Sequence, residues 1–291
     1  MIAGVDLGGT QIRVSFAHDD GRIVRTVRTR TALVGGPANM VTWVVQQVER
    51  HLRRQPLLSI GIGAPGPIDP HQGLLINPPN LPGWHNTPLA AMLGEATGCQ
   101  THLENDANLA GLGEYHHGAG KDSRVMAYVT WSTGVGGGLV IDGRLFSGAH
   151  GSAGEFGHMI LDPNGPICGC GQRGCVEALC SGANIAKRYG ESATDLLRAA
   201  GEGDSEAQAI VERVAGDMGL ALISLANLFD PDLIVIGGGF TRSWSQLQPV
   251  MLRVLRSSPF IRPRRRPRVR RARLGDQAGL VGAVEWARTW L

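Results

Sequence analysis

One histidine and three cysteines lie close together near the middle of the chain, at His158, Cys168, Cys170 and Cys175. Three thiolates and an imidazole form a donor set that suits tetrahedral Zn²⁺. Clustered cysteines in an intracellular chain bind a metal more often than they form disulfides. Because the Cys-x-Cys spacing is tighter than in common zinc fingers, free thiols in a glycine-rich loop are the alternative to the predicted zinc site.

A carboxylate that could act as a base lies in the segment Glu104-Asn105-Asp106-Ala107-Asn108. The segment falls where a predicted short strand gives way to a predicted helix. Asp106 could there remove a proton from a bound hydroxyl group, or it could cap the start of the helix. The local spacing favours the cap.

Three glycine clusters follow apolar, β-branched runs: Gly8-Gly9, residues 134–138 and residues 237–239. Glycine at such a turn lets backbone N–H groups approach a phosphate closely. Asp6 lies two residues before the first cluster, where its carboxylate could hold Mg²⁺ beside phosphate oxygens or could cap the turn. The clusters predict that glycine hairpins bind a phosphorylated ligand.

Two common nucleotide-binding motifs are excluded by the residues themselves. A Walker A loop requires a lysine followed by serine or threonine, and the two lysines, Lys121 and Lys187, are each followed by a charged residue. A Rossmann turn requires a helix after its glycines, whereas residues 134–138 run into a predicted strand.

The elements that carry these residues repeat along the chain. The sequence opens with a strand at residues 2–7, a glycine turn and a strand at residues 11–17, which an Asp-Gly turn follows. The same order recurs with strands at residues 125–130 and 139–141. Internal duplication of this kind predicts two similar lobes that face a cleft.

The boundary between the lobes is expected near Gly118-Ala119-Gly120. Residues 1–118 are predicted to form a small α/β lobe, and residues 119–277 a large α/β lobe that carries the cysteine-rich loop. Residues 278–291 are predicted to form a closing helix that packs back on the first lobe.

An arginine-rich segment supplies the positive net charge of +3, because eight arginines lie between Arg262 and Arg273 and the rest of the chain is net negative. Residues 268–274 alternate in part like an edge strand, where arginine blocks pairing with other chains. Since no aromatic residue interleaves with these arginines for base stacking, nucleic-acid binding is not predicted.

The bulk properties predict a folded chain outside the membrane. The 291 residues and their 43% hydrophobic content suit two lobes. The sequence contains no run of eighteen apolar residues, the length that could span a bilayer. The N-terminal segment is expected to be a strand and not a signal peptide. The chain is therefore expected to be cytoplasmic, with no membrane partner.

The glycine segments together resemble a known superfamily. Gly4 to Thr10 is similar to the first phosphate motif of the actin, Hsp70 and hexokinase superfamily, Thr133 to Gly138 to its second phosphate motif, and Gly237 to Gly239 to its adenosine motif. Along essentially its whole length the chain resembles the bacterial sugar kinases of the ROK family (repressors, open reading frames and kinases). The resemblance implies an actin-like, ribonuclease H-like α/β fold with two lobes around a central cleft.

The resemblance further implies that ATP and Mg²⁺ bind at the glycine segments. The residues implied for the β- and γ-phosphates are Asp6, Gly8, Gly9 and Thr10. Thr133, Gly134 and Gly136 are implied to contact the phosphates from the second lobe, and Gly238 is implied to contact the adenosine.

The resemblance also reverses the interpretation of Asp106. In ROK kinases the aspartate of Asn-Asp-Ala-Asn is the general base for the sugar hydroxyl, and the preceding asparagine, here Asn105, hydrogen-bonds the sugar. The chain is thereby expected to transfer the γ-phosphate of ATP to the 6-hydroxyl of a hexose, a reaction that needs positioning, charge neutralisation and a base.

The cysteine-rich region is similar to the ROK signature in two segments, residues 154–158 and 168–177. The resemblance implies that the four-residue cluster holds a structural Zn²⁺, which folds the loop that presents Glu155, His158 and Glu177 to sugar hydroxyls. His158 would use one ring nitrogen for zinc and the other for the sugar or a partner.

The identity of the sugar depends on fewer residues. Asn80-Leu81-Pro82-Gly83-Trp84 resembles the glucokinase branch, which places Asn80 near the sugar, whereas a Pro-Gly turn anchored by Trp84 is the alternative. The segment between His158 and Cys168 is short, as in glucokinases. Glucose is therefore expected. N-acetylmannosamine, N-acetylglucosamine, fructose and allose stay open, because one hydroxyl or acetyl contact decides among them.

Two other classes of function remain alternatives. A sugar-responsive ROK regulator requires a helix-turn-helix segment before the first phosphate motif, and that motif begins here at Gly4. An actin-like or chaperone ATPase would not need Glu155, His158 and the zinc cluster. Since ROK proteins are often dimers, a homodimer or a tetramer is expected.

Overall fold

The computed structural model describes residues 1–52 and 55–291, and they form two compact units. The first unit consists of Met1–Gly118, Leu145–Ala153 and Asp276–Leu291, and the second of Ala119–Arg144 and Gly154–Gly275.

The segment Leu145–Ala153 differs from the sequence-based expectation, which places all of residues 119–277 in one lobe. In the structure this segment belongs to the first unit. The Ser147 hydroxyl donates to the buried Glu104 carboxylate there, at 2.9 Å. These long-range contacts could not be inferred from local spacing, which explains the difference.

The first unit is built on a five-stranded sheet. Its strands are β1 (Ile2–Leu7), β2 (Gln11–Ala17), β3 (Ile23–Arg30), β4 (Ser59–Ala64) and β7 (Gln100–Asn105), and a separate hairpin contains β5 (Ile68–Asp69) and β6 (Leu74–Leu75). The order in the main sheet is β3-β2-β1-β4-β7. Every residue of β4 is buried, as expected for a central parallel strand.

The helices of the first unit are α1 (Thr31–Val34), α2 (Pro37–Leu52), α3 (Leu89–Thr97) and α4 (Asp106–His117). The apolar face of α2 carries Met40, Val41 and Val44 at helical spacing, and these side chains share one core with Val5 of β1 and Ile60 of β4. The same core includes Leu103 of β7, and it supports the carboxyl ends of β1 and β7, which carry Asp6 and Asn105.

The second unit repeats the plan. Its sheet contains β8 (Val125–Trp131), β9 (Val135–Ile141), β10 (Arg144–Leu145), β11 (Leu233–Gly237) and β12 (Arg268–Arg271), in the order β10-β9-β8-β11-β12. The second residue of β10, Leu145, is also the first residue of the segment that belongs to the first unit. β8 pairs antiparallel with β9 and parallel with β11, which pairs parallel with β12. In the first unit β1 pairs in the same way with β2 and β4, and β4 with β7. The common pairing pattern supports the predicted duplication.

The helices of the second unit are α5 (Val176–Cys180), α6 (Gly182–Tyr189), α7 (Ala193–Glu202), α8 (Ser205–Phe229) and α9 (Trp244–Ser257). The long helix α8 packs against α5, α7 and α9. It buries Met218, Leu222 and Leu225, which lie in one core with Ile234 of β11.

The last helix, α10 (Ala278–Arg288), returns to the first unit, where it packs against α4, β1 and β4. Its backbone approaches the sheet at two glycines. A Cβ atom at Gly4 would lie 2.7 Å from the backbone nitrogen of Val284, and one at Gly61 would collide with the Ala283 carbonyl oxygen. Only glycine permits this approach.

The glycine turn after β8 contains fewer residues than predicted. β9 begins at Val135, so Gly136, Gly137 and Gly138 form ladder pairs with Thr130, Val129 and Tyr128. A Cβ atom at Gly137 would collide with the Phe156 ring. The glycines therefore serve close packing as well as the turn.

The arginine-rich strand β12 lies at the edge of the second sheet, which confirms the sequence-based prediction of an edge strand. Within residues 1–52 and 55–291, no helix is both long enough and apolar enough to cross a bilayer.

Candidate active site

The first glycine turn connects β1 and β2 and is held by Thr31. The Gly8 N–H donates to the Gln11 carbonyl at 2.9 Å. The Thr31 hydroxyl donates to the Gly8 carbonyl at 2.6 Å, and its backbone N–H donates to the Thr10 carbonyl at 2.9 Å. These bonds fix the loop in one conformation, and sequence reasoning missed Thr31 because it lies on another element.

Asn80 lies beside the same turn. A Cβ atom at Gly9 would lie 2.7 Å from the Asn80 carbonyl oxygen, so only glycine fits at this position. Trp84, four residues further on, is buried in the core of the first unit. The structure therefore brings together the predicted phosphate residues and one predicted sugar residue, with Trp84 as the anchor of the Asn80 segment.

Asp6, the predicted Mg²⁺ ligand, forms an ion pair with Arg13 on the neighbouring strand. Arg13 Nε donates to Asp6 Oδ2 at 2.8 Å, and Nη2 contacts the same oxygen. Both side chains are largely buried, at 20% and 13% exposed. Sequence reasoning missed Arg13, although an arginine between two apolar residues of the returning strand, Ile12 and Val14, was a usable signal.

The predicted base, Asp106, is the first residue of α4, and the helix is capped by its neighbour. Asn105 Oδ1 accepts hydrogen bonds from the backbone N–H groups of Ala107 and Asn108, at 2.8 and 3.3 Å. The alternative interpretation of Asp106 as the N-cap is therefore wrong, since Asn105 fills that position. An acidic residue in the first turn is also favoured by the helix dipole.

A buried carboxylate precedes these two residues. Glu104 accepts hydrogen bonds from the backbone N–H of Asn105 at 2.8 Å, from Asn108 Nδ2 at 3.0 Å and from the Ser147 hydroxyl at 2.9 Å. Burial raises the pKa of Glu104, and the hydrogen bonds to Asn108, Asn105 and Ser147 oppose the rise. Glu104 thus ties the start of α4 to the segment Leu145–Ala153. Sequence analysis assigned it no role.

In the second unit, Glu177 contacts the second glycine turn. The Val135 N–H donates to Glu177 Oε2 at 3.0 Å, and a Cβ atom at Gly134 would lie 2.7 Å from the same oxygen. Glu177 lies in the first turn of α5, two residues after Cys175. The structure therefore places a predicted sugar residue against the turn that contains Gly134, one of the predicted phosphate residues.

The four predicted zinc ligands come together. The ligand atoms of His158, Cys168, Cys170 and Cys175 all lie within 4.8 Å of one another. The Cys170 and Cys175 sulfurs are 3.7 Å apart, and the Cys168 sulfur is 3.8 Å from His158 Nδ1. Two sulfurs bound to one tetrahedral zinc at about 2.3 Å lie about 3.8 Å apart. The cluster therefore fits Zn²⁺.

The thiols of the cluster differ in their pKa values, since a backbone hydrogen bond lowers the pKa of Cys170. Burial is the main cause that raises the pKa of Cys175, to about 12, and neighbouring Cys170 and Cys168 raise it further. A thiol with this pKa stays protonated at neutral pH unless a cation stabilises its thiolate. His158 Nε2, on the other side of the ring, lies 3.9 Å from Glu155 Oε2.

The third glycine turn lies beside a cavity in the second unit. The cavity has a volume of about 390 Å³, and its walls include Thr133, Gly239, Phe240 and Arg242. Gly238 adopts φ +86°, and a Cβ atom there would collide with the backbone of Trp131. The Trp131 and Phe240 rings stack with their centroids 4.5 Å apart. Sequence reasoning found the glycines but missed Phe240 and Arg242.

Comparison with known proteins identifies the family. A sequence model described as "ROK family" matches residues 2–289. The chain is 36% identical to the glucokinase of Thermotoga maritima, over 83% of each chain. It is 35% identical to the N-acetylmannosamine kinase of Escherichia coli O157:H7, over 80% of this chain and 81% of that one.

Solved structures agree with the sequence relatives. The ROK hexokinase of Thermus thermophilus has a TM-score of 0.88 and 37% identity, with 99% of this chain and 98% of that chain covered. The ROK glucokinase of Streptomyces griseus, solved in complex with glucose and AMPPNP, has a TM-score of 0.78 and 31% identity over 99% of both chains. The predicted actin-like α/β fold is confirmed, and the chain belongs to the ROK family.

Proposed function

We propose that this protein is an ATP-dependent hexose kinase that phosphorylates glucose at its 6-hydroxyl. The observation that carries the proposal is its similarity to glucokinases along most of the chain, with 36% identity to the enzyme of Thermotoga maritima and 33% to that of Halalkalibacterium halodurans. The S. griseus glucokinase, similar over 99% of both chains, was solved with glucose and an ATP analogue.

Asp106 acts as the general base in this proposal. It accepts the proton of the sugar hydroxyl while the oxygen attacks the γ-phosphorus, and the bond to the β-phosphate oxygen breaks. The Asn105 cap supports this role, because the cap bonds fix the backbone at the start of α4. Since Asn105 Oδ1 already accepts two N–H groups, Asn105 holds the sugar through its Nδ2 donor. Asn80 provides a further contact to the sugar.

Glu155, His158 and Glu177 bind the other sugar hydroxyls. A carboxylate accepts hydrogen bonds from hydroxyl pairs, and a ring nitrogen that is not used for a metal can donate or accept. The contact of Glu177 with the Val135 N–H supports a link between sugar binding and the second phosphate turn. The cysteine cluster would hold a structural Zn²⁺, which would keep the loop ordered around Glu155 and His158.

The nucleotide binds at the glycine turns. The proposed residues are Asp6, Gly8, Gly9, Thr10, Thr133, Gly134, Gly136 and Gly238. Mg²⁺ neutralises phosphate charge when bound, and Asp6 is the residue that would hold it. The hydrogen bonds of Thr31 support a preorganised first turn, because a loop fixed before binding loses less conformational entropy on binding.

A second candidate substrate is N-acetylmannosamine. The E. coli kinase for that sugar is 35% identical to this chain, close to the value for the glucokinases. The two sugars differ at the 2-position, where one carries a hydroxyl and the other an acetamido group.

A panel of sugars tests the proposal. ADP release is measured with glucose, mannose, fructose, allose, N-acetylglucosamine and N-acetylmannosamine, and the products are identified by NMR. We expect glucose to give the highest kcat/KM and the product to be glucose 6-phosphate. A higher kcat/KM for N-acetylmannosamine would assign the second substrate. ATP hydrolysis that no sugar accelerates would exclude a hexose kinase.

The proposal includes a cytoplasmic homodimer, with a tetramer as the alternative assembly. Homology to glucokinases supports the location. Light scattering coupled to size-exclusion chromatography measures the assembly, and a mass of one chain at micromolar concentration would exclude the dimer.

A further inference from the structure

Three charged side chains form one row across the sheet of the first unit. Asp6 of β1 lies opposite Arg13 of β2, and Arg13 lies opposite Arg28 of β3. Residues that lie directly opposite each other point to the same face of a sheet. The neighbouring row agrees with this register, because the hydroxyls of Ser15 and Thr26 are 2.7 Å apart.

This row contains a like-charge pair. Two cations directly opposite each other on neighbouring strands destabilise a sheet. Asp6 neutralises Arg13, but Arg28 is exposed and forms no ion pair with any residue in the described part of the chain. An anion bound between the two guanidinium groups would remove this repulsion.

The two arginines line the same cavity as the first glycine turn. The cavity lies within the first unit and has a volume of about 780 Å³, and its walls include Gly8, Gly9 and Thr10. A phosphate chain held by the turn would therefore extend past Arg13 and Arg28. Arginine guanidinium groups bind phosphate oxygens through paired, charge-assisted hydrogen bonds.

The charges in the cavity point to a metal-bound phosphate chain. Its walls carry two carboxylates, Asp6 and Asp276, and two guanidinium groups, Arg13 and Arg28. Arg13 also donates to the backbone carbonyl of Asp276 at 2.5 Å. Carboxylates are the ligands that Mg²⁺ prefers, and guanidinium groups suit phosphate. Asp6 and Arg13 already pair with each other, and a ligand that brings both a cation and phosphate would also provide partners for Asp276 and Arg28.

We propose that Arg13 and Arg28 form a binding site for the phosphate chain of the phosphoryl donor, next to the glycine turn. The ligand class is a linear triphosphate with a divalent cation, either a nucleoside triphosphate or inorganic tripolyphosphate. The inference rests on the proposed kinase function and deepens it. Arg13 bridges Asp6 and the phosphates, and Arg28 contributes a cation that the fold itself does not use.

The test uses Arg28→Gln, because Arg28 is exposed and its replacement should not disturb the core. Arg25→Gln is the matched control. Arg25 lies on the same strand, three residues away and therefore on the opposite face. Isothermal titration calorimetry measures binding of Mg²⁺-tripolyphosphate and of Mg²⁺ with a non-hydrolysable ATP analogue. Thermal melts confirm that both variants are folded.

We expect Arg28→Gln to weaken binding about fivefold to tenfold, the loss of one partly screened charge-assisted contact, and Arg25→Gln to leave it unchanged. A loss for both ligands assigns the site to the common phosphate chain, and a loss for the ATP analogue alone assigns it to nucleotides. Unchanged binding of both ligands in Arg28→Gln, or equal losses in the two variants, would overturn the inference.

The result is independent of the sugar assay. If the wild-type protein phosphorylates glucose and Arg28→Gln binds both ligands normally, the phosphate site is wrong and the kinase function stands. If the wild-type protein phosphorylates no sugar but Arg28→Gln weakens triphosphate binding, the site stands and the kinase function is wrong.

Discussion

Glu177 accepts a hydrogen bond from the backbone N–H of Val135, at 3.0 Å, in the turn between β8 and β9. Its second carboxylate oxygen lies 3.8 Å from the Cys168 sulfur. One carboxylate thus contacts both the cysteine cluster and the second glycine turn. A change in either feature therefore reaches the other through a single side chain.

Replacement of Glu177 tests this connection. Glu177→Ala leaves the Val135 N–H without its acceptor, at a cost of about 1–3 kcal/mol, and loosens the turn. We expect KM for ATP to rise about tenfold. Glu177→Gln keeps an oxygen that can accept this hydrogen bond, so its KM for ATP should rise less. Steady-state kinetics with varied ATP measure both values, and a wild-type KM in Glu177→Ala would contradict the prediction.

Asp106 and Asn105 should separate turnover from stability. Asp106→Asn removes the base and leaves the Asn105 cap intact. We expect kcat to fall about 10²- to 10⁴-fold with little change in the free energy of unfolding. Rapid-quench or coupled assays measure kcat, and urea unfolding measures stability. A normal kcat in this variant would exclude Asp106 as the base.

Asn105 offers a matched pair of replacements. Asn105→Ala removes the N-cap and should lower stability by about 1 kcal/mol. Asn105→Asp keeps a capping oxygen but removes the Nδ2 donor proposed to hold the sugar. We expect Asn105→Asp to unfold like the wild type and to show a higher KM for glucose. An unchanged KM would mean that Asn105 only caps α4.

Metal removal should destabilise the second unit. We expect about one zinc per chain by elemental analysis, since the cluster offers four ligands. A strong chelator should lower the melting temperature, because structural zinc contributes folding free energy directly. Cys175→Ser should prevent tight zinc binding. Cys99→Ala, which alters a buried cysteine of the first unit, should retain it. Purified wild-type protein without zinc would contradict the prediction.

Glu104 should make stability depend on pH in an unusual direction. Burial raises the pKa of this carboxyl above its ordinary value of 4.5. The carboxyl therefore binds a proton more tightly in the folded state than in the unfolded state. The contribution of Glu104 to the free energy of unfolding declines as the pH rises from about its pKa in the unfolded state through its pKa in the folded state.

Glu104→Gln removes that dependence while preserving the hydrogen bonds. The amide oxygen can accept from Asn105 and Asn108, and the amide nitrogen can donate to Ser147. We expect the variant to be at least as stable as the wild type at pH 7, and the difference to shrink toward pH 4. Urea unfolding across this range measures it. A variant that loses stability equally at every pH would contradict the assignment.

Much of the fold could be predicted from the sequence, because its signals are local. The apolar runs that form β1 and β11, the helical spacing of α8 and the arginines of β12 each specify an element without reference to the rest of the chain. The cluster of possible metal ligands could also be predicted, since Cys168, Cys170 and Cys175 lie within one short loop.

The rest depends on strand register and distant contacts, which spacing does not encode. The ion pair between Asp6 and Arg13 requires the antiparallel register of β1 and β2. The hydrogen bond between Ser147 and Glu104 joins residues separated by 43 positions. Local spacing predicts a turn for the glycines after Val135, because nothing local shows that Phe156 packs against Gly137.

The segment Asp276–Leu291 has a consequence for synthesis on the ribosome. The first unit contains this last segment of the chain, and α10 covers Gly4 of β1 and Gly61 of β4. β1 and β4 therefore emerge early but lack their covering helix until residues 278–288 have left the ribosome. During that interval β1 and β4 expose apolar surface, which is the form of the chain that a chaperone would bind.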